Sequence, residues 1–182
     1  DPNHAEANLL MADLLFEKQK WEEAAGYYER LHLIQPSNPA AALKLGVCLV
    51  ALKKMPEAEV VLEPIAALEP KALLPLGRTR LAGHQFDKAE AALRESLEKA
   101  GETPETLYWL GCTLAWKAAA SPKPDYQPAL DLFKRVGMSD GIWAGRASLQ
   151  MGHIALRQQD INAAAIHYSD AQPYSEISLE AG

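Results

Sequence analysis

The side chains that could carry acid–base, nucleophilic or metal chemistry are scattered along this chain without the spacing that such chemistry needs. Its 182 residues include five histidines, which form no HExxH pair, and two cysteines, Cys48 and Cys112, which form no CxxC pair. There is no glycine-rich phosphate loop and no GxSxG segment. Carboxylates such as Glu22 and Glu57 fall where acidic residues favour the start of a helix. We therefore expect no catalytic residue, no metal or other cofactor, and no enzyme activity within this chain.

Aromatic side chains are the stronger candidates, and their chemistry is binding. Trp109 and Trp116 are seven residues apart, so they share one face of a helix, and that face points away from the leucines around them. Tyr108 flanks the pair. Exposed tryptophan and tyrosine are typical hot spots of protein interfaces, because they contribute a large contact area at a small entropic cost. Packing against neighbouring helices is the alternative, and the sequence leaves both open.

Composition limits the class of partner and the surroundings of the chain. The formal net charge is −6, so phosphate backbones and anionic membranes are repelled, and we expect no nucleic-acid partner. No apolar stretch reaches the roughly 18 residues that a membrane helix needs, so no membrane insertion of this segment is expected. The two cysteines are predicted to be free thiols. The compartment stays open between the cytoplasm and, if a longer precursor carries a signal peptide, the periplasm.

A repeated register indicates which elements must position these side chains. Five pairs of a large apolar residue followed by Ala or Gly recur along the chain: Met11-Ala12, Leu45-Gly46, Leu76-Gly77, Leu110-Gly111 and Met151-Gly152. Sixteen residues after four of the small residues stands an aromatic residue or Leu, namely Tyr28, Leu62, Leu93 and Tyr168. The fourth unit carries six extra residues before Phe133. Small residues let two antiparallel helices approach while the large ones fill the seam, which predicts five helix pairs.

This register resembles the tetratricopeptide repeat, whose units of about 34 residues carry a large–small pair on the first helix and an Ala and an aromatic on the second. The resemblance covers nearly the whole chain. It implies an all-α fold, a right-handed α-solenoid of antiparallel helix pairs that forms a superhelix. Two departures stand out: Pro75 lies inside the expected third-unit first helix, which should start late near Leu74, and residues 121–126 lengthen the turn of the fourth unit.

The predicted organisation is a single array over residues 1–182. Its repeats are expected at about 5–38, 39–69, 70–103, 104–144 and 145–172, with 173–182 as a tail or partial cap. Pro36 and Pro70 are expected to close the second helices of the first two units. Asp1-Pro2-Asn3 resembles the closing segment of a preceding unit, and neither end shows a convincing polar cap, so we expect the chain to be part of a longer protein.

The resemblance also implies a concave groove lined by the first helix of each unit. The positions opposite the core stripe give the candidate partner-binding residues: Leu10, Asp13, Lys44, Val47, Arg78, Tyr108, Trp109, Cys112, Trp116, His153 and Arg157. Arg78, His153 and Arg157 could receive carboxylates or polar groups of a ligand lying across the tryptophans. The Lys and Asn clamp with which some family members hold the acidic tail of a chaperone is absent from the first two units, which show Leu9, Asp13, Leu43 and Val47 at that face.

Three hypotheses of function follow from this interpretation. The leading one is a protein–protein interaction scaffold that binds a partner peptide or helix in its groove. A second is the repeat segment of a larger bacterial secretion, exopolysaccharide-export or glycosyltransferase-linked protein, which recruits an enzyme or guides a polysaccharide. A third is a structural array that associates with itself.

Overall fold

A computed structural model describes residues 4–139 and 141–174, so the two ends discussed above, 1–3 and 175–182, lie outside the described part. The described residues form ten α-helices and no strand, which confirms the all-α class. The helices are α1 (Ala5–Glu17), α2 (Trp21–Ile34), α3 (Pro39–Ala51), α4 (Met55–Leu62), α5 (Leu73–Ala82), α6 (Phe86–Ala100), α7 (Pro104–Ala119), α8 (Gln127–Gly137), α9 (Ile142–Arg157) and α10 (Ile161–Ala171).

The recurring small residues lie where the first helix of a pair meets the second. A Cβ atom on Gly77 would be 2.5 Å from Cγ of Leu93, and one on Gly111 would be 2.7 Å from the ring of Phe133. Gly46 meets Leu62 in the same way, and Gly152 meets Tyr168. The register read from the sequence therefore corresponds to direct contacts, because the backbone of each first helix packs against the large residue of its partner helix.

Four of the five turns within helix pairs share one local structure. Each has three residues, and the middle residue adopts a left-handed conformation with φ between 56° and 64°; these residues are Gln19, Lys53, His84 and Gln159. The turn between α7 and α8 differs, since it has seven residues, 120–126, and contains no such residue. The insertion lengthens α7 as well, which ends eight residues after Gly111, at Ala119, whereas α3 ends five residues after Gly46, at Ala51.

Prolines account for the irregular second and third pairs. Pro70 was expected from the sequence to close the second helix of the second unit, but α4 ends at Leu62 and a short 3-10 turn, Glu63–Ile65, follows around Pro64. Pro70 opens another 3-10 turn, Pro70–Ala72, which agrees with its second predicted role as the opening of the third unit after a shortened link. Helix α5 then begins at Leu73, close to the late start expected near Leu74. Pro75 is the third residue of α5. Backbone N–H groups in the first turn of a helix have no intrahelical acceptor, so the absence of this group in proline costs no hydrogen bond there.

The helices group into two compact units, residues 1–100 with α1–α6 and residues 101–182 with α7–α10. In the first unit, ion pairs join helices of neighbouring pairs: Lys44 on α3 binds Asp13 on α1, and Arg80 on α5 binds Glu59 and Glu63 at the end of α4. In the second unit, α9 packs against both α7 and α8. No helix within residues 4–139 and 141–174 is long and apolar enough to cross a membrane.

Candidate functional site

The second unit contains a cavity of about 520 Å³ between the two first helices α7 and α9. Helix α7 contributes Ala115 and Trp116, and α9 contributes Gln150, His153, Ile154, Leu156 and Arg157. Tyr126, the last residue of the long turn before α8, completes the lining. This volume lies in the range of 300–1,000 Å³ that is typical of ligand pockets.

Trp116 and Arg157 form the most distinctive contact of this cavity. The guanidinium carbon of Arg157 lies 5.2 Å from the centre of the Trp116 ring, which is a cation–π distance. Trp116 is 49% exposed. Each of the two residues stands five positions after the small residue of its helix, Gly111 or Gly152. Successive first helices therefore bring an aromatic and a cationic side chain together at one register position.

Trp109 and Tyr108 belong to a different environment from Trp116. Tyr108 is buried, with its ring 5.2 Å from Trp109, 5.9 Å from Phe133 on α8 and 5.3 Å from Trp143 on α9. Burial raises the pKa of the Tyr108 hydroxyl above its usual value, and the Gln150 amide donates a hydrogen bond to that oxygen at 3.3 Å. Trp109 is half-buried and is not among the residues that line the cavity.

The two cysteines lie in the core. Cys112, which the helical wheel places on the groove, is only 6% exposed, and burial raises the pKa of its thiol to about 12. Cys48 is buried as well, and burial likewise raises its pKa to about 12. Both are free thiols, as predicted. Because neither sulfur faces solvent, we leave Cys112 out of the proposed binding surface. Among the described residues, no group of three His, Cys, Asp or Glu side chains converges as metal ligands would.

In the first unit, the candidates Asp13 and Lys44 bind each other. Lys44 Nζ lies 2.7 Å from Asp13 Oδ1, and the Tyr28 hydroxyl donates to the same oxygen at 2.6 Å. Partial burial acts to raise the pKa of Asp13, but the hydrogen bonds from Lys44 and Tyr28 outweigh it and hold this pKa below its usual value. The pair therefore ties α1 to α3, while each of its side chains stays more than a third exposed.

The remaining first-unit candidates differ in exposure. Leu10 on α1 is exposed, whereas Val47 on α3 and Arg78 on α5 are half-buried. The expected grouping of Arg78 with the aromatic residues stays a prediction, since Arg78 belongs to the first unit and the tryptophans to the second.

Gln150 lies on the same predicted groove face of the fifth unit as His153 and Arg157, so sequence reasoning missed four of the lining residues: Ala115, Tyr126, Ile154 and Leu156. Ile154 was assigned to no surface because it lies on the core side of α9. Tyr126 was seen only as part of an insertion. The signal that could have found it is its position at the end of the one long turn, where a buried aromatic anchors the start of α8.

One family model and several solved structures are similar to this chain. The family model described as tetratricopeptide repeat matches residues 15–74. Among solved structures, the chain is similar to MamA 41-end from Desulfovibrio magneticus RS-1, with 17% identity and a TM-score of 0.74, covering 94% of this chain and 95% of that one. It is also similar to YrrB, "a TPR protein with an unusual peptide-binding site", with 20% identity and a TM-score of 0.68, covering 100% and 93%.

A third similar structure is the first TPR of Spaghetti (RPAP3), solved bound to the HSP90 peptide SRMEEVD. It shares 24% identity at a TM-score of 0.57, covering 66% of this chain and 97% of that one. No curated protein matches the sequence. Because all three identities are below 25%, these likenesses establish the fold and leave the ligand open.

Proposed function

We propose that this chain is a non-enzymatic scaffold whose second unit holds a peptide segment of a partner protein between α7 and α9. Residues 15–74 match the tetratricopeptide repeat model, and the fold is that of solved tetratricopeptide repeat structures. The fold itself is that of a protein-interaction scaffold. The observation that carries the finer proposal is the half-exposed Trp116 in the wall of a cavity of about 520 Å³. A large, rigid aromatic side chain beside a concave surface is what protein interfaces use as an anchor.

The other lining residues suit a peptide better than a flat protein surface. Ile154 and Leu156 are apolar, whereas Gln150, His153 and Arg157 supply polar groups along α9. An extended peptide can place alternate side chains in such a groove and its backbone against the polar groups. YrrB, which shares the fold, is described as having a peptide-binding site, and the Spaghetti structure holds a peptide; both support peptide binding as a use of this architecture.

A selection from a random dodecamer peptide library tests the proposal. The chain is immobilised, and peptides that also bind the Trp116→Ala variant are removed. We expect recovered peptides that bind the wild type and lose about 30-fold or more in affinity for Trp116→Ala, since truncation of a hot-spot residue typically costs about 2 kcal/mol or more. Circular dichroism checks that the variant stays folded.

Leu33→Ala is the matched control, because Leu33 is a large apolar side chain that is also exposed but lies on α2 of the first unit. Its affinity for the peptides should equal that of the wild type. Recovery of no peptide that distinguishes Trp116→Ala from the wild type would show that this cavity is not a peptide site. The alternatives of polysaccharide guidance and self-association stay predictions.

A further inference from the structure

The chemistry of the α7–α9 cavity points to a particular kind of peptide. We propose that the bound segment carries an internal Asp or Glu side chain next to a large apolar residue, with the carboxylate bound by Arg157 and the apolar residue placed against Trp116. This inference rests on the proposed function. It adds the charge of the bound peptide segment, and it identifies the parts of this chain that select this segment, Arg157 and the turn 120–126.

Charge is the first step of the argument. The whole chain is acidic, with 24 Asp and Glu residues against 18 Lys and Arg. Among residues 4–139 and 141–174, however, no Asp or Glu lines this cavity. Its ionisable lining residues are His153 and Arg157, both exposed, and Tyr126. An anionic group that enters the cavity therefore meets a cation and, in the described part of the lining, no carboxylate. This arrangement favours an acidic ligand over a basic one.

The orientation of Arg157 is the second step. Its guanidinium group lies over the Trp116 ring, and within residues 4–139 and 141–174 it forms no ion pair with a carboxylate. Stacking uses the flat face of a guanidinium and leaves its N–H edge available to bind a carboxylate through two parallel hydrogen bonds. The stack also reduces the side-chain freedom that would otherwise be lost when the ligand binds.

The turn 120–126 is the third step, because it supplies a preformed wall. Ser121 and Lys123 are hydrogen-bonded to each other, and the backbone N–H of Gln127 donates to Asp125 Oδ1 at 3.0 Å. Pro122 and Pro124 restrict the backbone further. Tyr126 is consequently held with its side chain buried beside the cavity. It is the seventh residue of this turn, whereas the other four turns within helix pairs have only three residues. A wall that is already ordered costs little to use on binding.

Substitutions at Arg157 test the inference on peptides from the Trp116-dependent selection, synthesised with amidated C-termini so that only side-chain carboxylates are present. We expect these peptides to contain Asp or Glu, and Arg157→Gln to weaken binding about tenfold, with Arg157→Lys in between because lysine cannot form the paired hydrogen bonds. Replacing the acidic residue of the peptide by Gln or Asn should cause the same loss in the wild type and little further loss in Arg157→Gln.

The matched control is Arg30→Gln. Arg30 stacks on Tyr27 at the same 5.2 Å, but on α2 of the first unit, so its replacement should leave affinity within about twofold of the wild type. Raising NaCl from about 50 to about 500 mM should weaken binding by the wild type and spare Arg157→Gln.

The outcomes separate this inference from the proposed function. Peptides that depend on Trp116 but lack Asp and Glu, such as purely apolar helical segments, would overturn the acidic-partner inference and leave the peptide site standing. Equally tight binding of acidic peptides by Arg157→Gln and by the wild type would overturn it in the same way. If no selected peptide depends on Trp116, both ideas fail together.

Discussion

Replacing Gly77 with alanine should destabilise the first unit, although the same replacement normally stabilises a helix. The added Cβ would lie 2.5 Å from Cγ and 2.8 Å from Cδ2 of Leu93, which is fully buried. Carbon atoms pack at about 3.5–4.0 Å, so Leu93 or the backbone of α5 must move by roughly 1 Å. Such overpacking costs about 1–3 kcal/mol, against a gain of about 0.5–1 kcal/mol from the higher helix propensity of alanine.

Gly26 provides the control that isolates the steric cost. It lies inside α2, and a Cβ there would meet no atom within 4 Å, so Gly26→Ala should raise the free energy of unfolding by about 0.5–1 kcal/mol. Both substitutions remove the same helical glycine penalty. The difference between them, about 1–3 kcal/mol in the free energy of unfolding, therefore measures the cost of separating α5 from α6.

Urea denaturation of the wild type and both variants, followed by far-UV circular dichroism, gives these values. A third variant, Gly77→Ala with Leu93→Ala, tests the cause: the two substitutions should cost less together than the sum of each alone, since the smaller side chain makes room for the new methyl group. The reasoning about the helix seam is refuted if Gly77→Ala proves as stable as Gly26→Ala.

Three further predictions address burial and charge. Met11 and Leu45 share one register position, but Met11 is 42% exposed and Leu45 only 2%. Urea denaturation should therefore show that Leu45→Ala lowers the free energy of unfolding by about 2–5 kcal/mol and Met11→Ala by less than about 1 kcal/mol. The pKa of Asp13 is lowered, so its ion pair with Lys44 stabilises the fold above about pH 4 and this stabilisation is lost as the pH falls through the folded-state pKa. In an acid titration, Asp13→Asn should therefore lose less stability than the wild type between about pH 7 and pH 2. Cys48 and Cys112 are buried with pKa values of about 12, so a thiol reagent at about pH 8 should modify the native chain on the order of 100-fold more slowly than the urea-unfolded chain.

The helix pairs could be predicted from sequence because their seams depend on local rules. A small residue and a large one sixteen positions later meet whenever two helices of ordinary length are joined by a three-residue turn. The pairs Gly46–Leu62 and Gly77–Leu93 follow that rule directly. The fourth pair follows it after the insertion is subtracted, since Gly111 still meets Phe133.

The surface of α7 could not be predicted in the same way. A helical wheel places Cys112 opposite the leucine stripe and Tyr108 on its flank, and an isolated pair of helices would expose them. In the second unit α9 packs against α7 as well as α8, so the side of α7 away from α8 is also covered. Burial by the next pair depends on contacts distant in sequence, which the periodicity of one helix does not contain.

The split between Trp109 and Trp116 has the same origin. Both lie on the predicted aromatic face. The ring of Trp109 packs against Tyr108, which in turn packs against Trp143 of α9, whereas Trp116 lies about two turns further along α7. At that end the insertion prolongs α7 and brings in Tyr126 instead of a short turn. Tyr126 of the long turn lines the cavity at this end of the pair, a contribution that the number of inserted residues alone does not predict.

The position five residues after the small residue shows how one architecture can hold different chemistry. In the five first helices it is occupied by Glu17, Ala51, Ala82, Trp116 and Arg157. The seam places no demand on this position, because the contact with the partner helix is made at the small residue itself. An acid, a small apolar residue, an aromatic and a cation are therefore all compatible with the fold. Where two successive helices carry Trp116 and Arg157, the side chains stack, and the proposed chemistry of binding rests on residues that differ from one repeat to the next.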